Sequence, residues 1–255
     1  MPRFLVFTLA APLMAFGDVA PGERRVSVDR PSRSALVGLV AAALGLARDD
    51  DRQSPLAASL AFGVRVDAPG RSTVDYHTTQ TAPAKRNRRF ATRHNELEVD
   101  DLGTILSQRT YVEDGAFTIA ALVEVSGPFT VEEIAQVLTR PRLPIHAGRR
   151  ACPLGLPPSP GVVEATSLSA AFAAYDLEQA KSADRAALRK RFFKDGLQQA
   201  LCAVDLLFEA RGLLADFAAE RRELRRDDPV SRLRWQFAPR EQIVGRLMAM
   251  PKAGT

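Results

Sequence analysis

Thiol and imidazole chemistry is scarce in this 255-residue sequence, which holds two cysteines, Cys152 and Cys202, and three histidines. The cysteines lie far apart in differently patterned segments, which argues against a disulfide framework and against a zinc site. A cytoplasmic chain with no metal and no cofactor is therefore expected, and an appended zinc-dependent or His-rich nuclease module is excluded. Long apolar runs are missing too: none reaches the roughly 18 residues of a membrane span, so no membrane partner is expected. The run from Phe4 to Phe16 follows a single basic residue, Arg3, and is interrupted by Pro12. Phe4-Leu-Val-Phe-Thr-Leu9 closed by Ala-Ala-Pro fits a buried strand better than the apolar part of a signal peptide.

What is present is a folded composition, 46% hydrophobic and 25% charged, long enough for one large domain or two small ones. The formal net charge is +5, and arginine far outnumbers lysine. Guanidinium forks suit planar, bidentate contacts to phosphate and stacking on bases, although a GC-rich genome gives the same bias without function. Three short segments place glycine, proline or arginine at the ends of regular elements: Pro12-Leu-Met-Ala-Phe-Gly17, Pro31-Ser-Arg-Ser34 and Gly148-Arg-Arg-Ala-Cys-Pro153. Exposed backbone N–H groups and arginines can meet phosphate there. None of the three carries a paired nucleophile and base, so they point to binding rather than chemistry.

Along the chain, Arg3 to Ala10 reads as a strand and Pro12 to Val28 as a loop. Ser32 or Ser34 then caps an apolar helix from Ala35 to Leu46, whose Gly38 and Ala42 would allow close packing on a sheet. Leu60 to Asp67 alternates as a second strand. Lys85, Arg86, Arg88, Arg89 and Arg93 cluster around Phe90, between two strand-like flanks, and predict a long hairpin over about 74–111 with a basic, mobile tip. Tyr76, His77 and Phe90 add flat faces among the cations, as in single-strand RNA binding; an ordinary solvated loop is the plain alternative. Phe117 to Val125 reads as a strand, and Thr130 to Thr139 as a helix capped by Thr130. The order predicts an α+β chain with a ferredoxin-like, RRM-like β-α-β-β-α-β unit. A proline-broken basic loop, 140–150, and a proline-rich connector, 154–161, follow.

Several of these segments together resemble the CasD family of type I-E CRISPR Cascade subunits, in the RAMP superfamily. The resemblance rests on Pro12-Leu-Met-Ala-Phe-Gly17, Arg33-Ser34 with Leu36-Val-Gly38, Leu44-Gly-Leu-Ala-Arg-Asp-Asp50, Asp75-Tyr-His-Thr78, and Pro141-Arg-Leu-Pro-Ile-His-Ala-Gly-Arg-Arg-Ala-Cys-Pro-Leu154. Weaker similarity returns in Arg226-Asp-Asp-Pro229 and Gln236-Phe-Ala-Pro-Arg-Glu241. It implies a non-catalytic RNA-binding subunit that caps the 5′ handle of a CRISPR RNA in antiviral defence. Partners would be a backbone subunit, a large subunit and, through the assembled complex, target DNA. RNA contacts are expected at Met14, Gly17, Arg33, Ser34, Arg48, His146, Gly148, Arg149 and Arg150. The hairpin would be the family's thumb, packing over a kink in the RNA, with Tyr76, His77, Lys85, Arg86, Arg88, Arg89 and, near its base, Arg109.

The resemblance implies a RAMP domain over residues 1–156 and a second region over 157–255. Within that second region, apolar residues recur at helical spacing through Leu188, Phe192, Leu197, Leu201, Val204, Phe208, Leu213 and Phe217. They predict one or two added helices within about 167–226, broken at Gly196 and Gly212. Some relatives cut repeat RNA without metal, by general acid–base activation of the ribose 2′-hydroxyl. Tyr76, His77, Lys85, His94 and His146 are the groups here that could serve such an endoribonuclease, and a general RNA-binding module is the other alternative.

Overall fold

The computed structural model describes residues 1–20, 22–85, 88–192 and 200–248. The N-terminal half comprises strands β1 (Arg3–Met14), β2 (Phe16–Gly17), β3 (Arg24–Arg25) and β4 (Ser27–Val28), helices α1 (Arg33–Leu44) and α2 (Gln53–Ser59), and strands β5 (Leu60–Ala68) and β6 (Arg71–Thr81). Helix α3 (Arg93–Leu97), strand β7 (Gly103–Val123), helix α4 (Val131–Thr139) and strand β8 (Gly161–Glu164) follow. The remainder is α5 (Leu168–Ala180), α6 (Ala183–Phe192), β9 (Leu201–Asp205), α7 (Leu206–Ala210), β10 (Phe217–Ser231) and β11 (Gln236–Leu247).

A large, mainly antiparallel sheet in the order β10-β11-β9-β5-β7-β1-β8 organises the chain, with strands from both sides of residue 156. Strand β1 explains the opening apolar run. Its Leu5, Phe7 and Leu9 pack with α1 and α4 on one face, while Phe4 and Val6 pack with α5 and α7 on the other. A strand covered on both faces needs apolar residues at every position rather than at alternate ones. The strand also runs past Pro12 to Met14, further than the expected loop boundary, with Ala11 opposite Gly115 and Leu13 opposite Glu113.

Helix α1 starts where Ser32 accepts from the Ala35 N–H and stops at Gly45, whose φ of 77° closes the helix in the left-handed region. Helix α4 carries a capping box between Thr130 and Glu133. Strand β7 is longer than the sequence suggested. The expected hairpin arm and the expected strand beyond it form one 21-residue strand, paired first with β6 and then with β5. Thr81 lies opposite Gly103 at the far end, and the pairing of β7 passes from β6 to β5 across Pro69 and Gly70, where Gly70 and Asp114 have positive φ.

The expected helical insertion over 167–226 needs correction. Helices α5 and α6 occupy 168–192, but Leu201 to Asp205 is strand β9, and Phe217 to Ser231 is strand β10. Short apolar segments buried on both faces carry no period that separates strand from helix. Gly196 and Leu197 lie outside the described residues. No helix among the described residues is long and apolar enough to cross a membrane.

Two buried ionic clusters tie the layers together. Arg65, 3% exposed, bonds Asp67, Thr118 and both carboxylate oxygens of Asp176. Asp205, backed by the Phe62 N–H, receives Arg33 at 3.0 Å and Arg240 at 2.7 Å. Burial raises the Asp205 pKa, and the two guanidiniums oppose that shift.

Candidate nucleic-acid interface

A groove of about 740 Å³ runs between α1, the end of β1, the 143–149 loop and the turn joining β10 to β11. Its floor is the small-residue side of α1. Gly38 and Ala42 were expected to meet the sheet, yet they face this groove. The reason is Arg232, which lies across Gly38 and donates to the Ser34 carbonyl at 3.0 Å; a methyl at 38 would collide with its guanidinium.

The opposite wall depends on Gly148. Its φ is 89°, and a Cβ there would be driven into the Ala15 carbonyl oxygen. That close approach lets Ala15 donate to the Ala147 carbonyl at 3.0 Å, while Ala147 donates to Cys152 at 2.8 Å. The loop is thus laced onto the end of β1, with its basic residues held beside the groove.

The lining is electropositive. Arg48, Arg149, Arg226 and Arg232 line it against one acid, Asp18. Arg48 and Arg232 both lie over the Trp235 ring, at 4.4 and 5.7 Å from its centroid. Burial and then the charge of Arg48 lower the Arg232 pKa, so the two cations crowd one another on one aromatic surface. Arg149 sits over Tyr111 and donates to the carbonyls of Thr110 and Arg25, which fastens the groove to the base of the ribbon.

Six of the residues expected from the sequence come together here: Gly17, Ser34, Arg48, His146, Gly148 and Arg149. Arg150 is exposed beside them. Two expectations fail. The Met14 side chain is fully buried in the core, where it cannot reach a ligand. Arg33 turns inward, donating to Asp228 at 2.7 Å, Asp205 at 3.0 Å and the carbonyls of Leu60 and Ala57. Its guanidinium is consumed by internal acceptors, and its place is structural.

Tyr76, His77 and Arg109 stand on the ribbon instead. Tyr76 is 60% exposed opposite Gln108, and His77 lies opposite Ser107, with its Nε2 at 2.5 Å from Asp75. Arg109 sits opposite Asp75 on one side and Arg25 of β3 on the other. At the tip, the cations are partly matched by acids of α3 and of the segment leading into β7. Lys85 and Arg88 both reach Asp101, holding its carboxyl below the usual range, and Arg93 pairs with Glu96. Arg88 also stacks on Phe90 at 5.2 Å, and Arg89 is exposed. Arg86 lies outside the described residues.

The sequence reading missed Trp235, Phe237, Arg226 and Arg232 as parts of the groove. A signal existed: Trp235 is the only tryptophan, and it stands in an arginine-rich turn. What the sequence could not show is that this turn reaches across to a helix some two hundred residues earlier, where Arg232 meets Ser34 (|i−j| = 198).

The chain is 31% identical over 185 residues to the CRISPR system Cascade subunit CasD of Escherichia coli (strain K12), across 69% of this chain and 78% of that protein. A chain from a solved CRISPR RNA-guided surveillance complex shares the fold, with a TM-score of 0.58 at 24% identity, over 98% of this chain and 95% of that one. A crystal structure described as a Cas protein gives a TM-score of 0.60 at 25% identity, over 96% and 95%. The family model described as CRISPR-associated protein (Cas_Cas5) matches residues 4–243. With most of its length matched in this way, the chain belongs to the CRISPR-associated protein (Cas_Cas5) family.

Proposed function

We propose that this protein is the non-catalytic, cytoplasmic subunit of a type I-E Cascade surveillance complex that caps the 5′ handle of the CRISPR RNA. The observation that carries the reading is the groove, in which four arginines and glycine-bearing loops converge against one acid. Crowded cations such as Arg48 and Arg232 repel one another until an anion sits between them, which favours phosphate. Handle nucleotides have fixed sequence, so backbone groups and guanidinium forks can read their base edges, whereas spacer RNA must be held by phosphate and shape.

Strands β1, β5, β7 and β8 with α1 and α4 are read as the ferredoxin-like unit. The order β5-β7-β1-β8, with both helices on one face, supports that reading. The ribbon of β6 and the outer part of β7 is read as the thumb, which would pack over the RNA and seat the neighbouring backbone subunit. The large subunit, and target DNA through it, complete the assembly.

A non-catalytic role is favoured because the candidate acid–base groups are divided between the groove and the ribbon. Cleavage of a ribose phosphate needs a base at the 2′-hydroxyl and an acid at the leaving oxygen. His146 lines the groove, while Tyr76, His77 and His94 stand on the ribbon and its tip. The test is binding of the purified protein to handle RNA and to scrambled RNA of equal length, at two salt concentrations in EDTA, with the RNA inspected for cuts. Handle preference with intact RNA is expected. A cut at one repeat position would make this the processing endoribonuclease, and equal affinity would make it a general RNA-binding module.

A further inference from the structure

Gln53 is a buried polar side chain, 8% exposed, at the wall of the groove. Its Nε2 donates to the Ala47 carbonyl at 3.0 Å, and because that carbonyl can only accept, the orientation of the amide is set. Oε1 is left buried with no hydrogen-bond partner among the described residues. A buried acceptor without a donor is unfavourable, and a ligand N–H would satisfy it. The carbonyl that anchors Gln53 belongs to the residue before Arg48, whose guanidinium lies over Trp235.

Trp235 is the second observation. Even with Arg48 and Arg232 over its ring, Trp235 is 58% exposed, and its backbone has a φ of 56°, a conformation that a bulky residue adopts at a cost. Phe237, 38% exposed, lies beside it with ring centroids 6.0 Å apart. Two exposed aromatic rings at the mouth of a basic groove form a surface on which a base can stack.

We propose that the groove receives one unstacked nucleobase of the bound RNA, with Trp235 as its stacking platform and Gln53 Oε1 accepting an N–H from its edge. This rests on the RNA-binding reading above and goes beyond it by assigning a base subsite. The acceptor favours an edge that presents an N–H donor, such as N6 of adenine or N4 of cytosine, over an edge with none.

Because Trp235 is the only tryptophan, the intrinsic indole emission of the full-length protein reports on this subsite alone. Titration with repeat-derived RNA is expected to quench that emission. Trp235→Ala should weaken RNA binding about tenfold, within the range for one stacked base. Gln53→Leu should retain quenching but reduce the preference for an adenosine oligonucleotide over one of purine riboside, which lacks the amino group.

RNA bound at full affinity with unquenched emission would overturn the platform while leaving the RNA-binding reading intact. An unchanged adenosine preference in Gln53→Leu would overturn the acceptor assignment. A folded protein with no affinity for any RNA would overturn both the subsite and the reading beneath it. Quenching is read on the native protein, so the proposal stays open to refutation even where a variant fails to fold.

Discussion

Gly148 and Arg33 show how much of the groove depends on single residues that need not touch RNA. At Gly148 any side chain meets the Ala15 carbonyl and must also adopt a positive φ. Gly148→Ala is expected to destabilise the protein by at least about 1–3 kcal/mol from the backbone conformation alone, read as a lower urea midpoint. Arg33→Met removes one of the two arginines facing buried Asp205. A loss of about 3–5 kcal/mol is expected, with RNA affinity retained wherever the variant remains folded. Lost affinity in a folded Arg33→Met protein would return Arg33 to the binding surface. The sequence marks Gly148 correctly as special but misleads at Arg33. A residue in the first turn of a helix looks like a phosphate ligand until Asp205, Asp227 and Asp228, which lie far along the chain, are seen around it.

Elements with strong local chemistry are legible in the sequence, and those defined by distant pairing are not. Helix α4 declares itself through Thr130 and Glu133, and α1 through Ser32. The Glu133 carboxyl lies below its ordinary pKa, chiefly because the Thr130 backbone N–H bonds the ionised form, with the Thr130 hydroxyl second. Its contribution is therefore complete above the unfolded pKa and is lost as the pH falls through the lower folded value. Glu133→Gln should flatten that acid-side loss of melting temperature relative to wild type. By contrast, β9 and β10 read as helix, because Leu201, Val204, Phe208 and Phe217 happen to recur near helical spacing. The ribbon is legible as a hairpin, though its merging into the sheet is not. Since Thr81 already faces Gly103, replacing residues 82–102 with a tight turn should leave the melting temperature nearly unchanged. Native mass spectrometry of the reconstituted complex should then show reduced occupancy of the neighbouring backbone subunit; unchanged occupancy would remove the thumb assignment.

For the whole molecule, the groove matters because segments far apart in sequence meet there: β1, α1, the 143–149 loop and the β10–β11 turn. This explains why the glycine and arginine positions can be found one segment at a time, while Trp235 and Arg232 need the fold. The electrostatic consequence is measurable. Arg226→Ala and Arg150→Ala remove exposed cations at or beside the groove without breaking a buried pair. Each should weaken RNA binding and make the plot of log affinity against log salt shallower, by about 0.7 for each phosphate no longer neutralised. An unchanged slope would place the RNA elsewhere on the surface.

Strand β7 has a mechanical meaning. Twenty-one residues of extended chain measure about 70 Å, and one continuous backbone joins the ribbon's far end to the middle of the sheet. A tug on that end loads the ladders to β5 and β1 along their length, so many hydrogen bonds share the strain together instead of opening in succession. The ribbon is thus an arm rooted between β5 and β1 inside the sheet, and a neighbour pulling on it would meet the stiffness of the whole core.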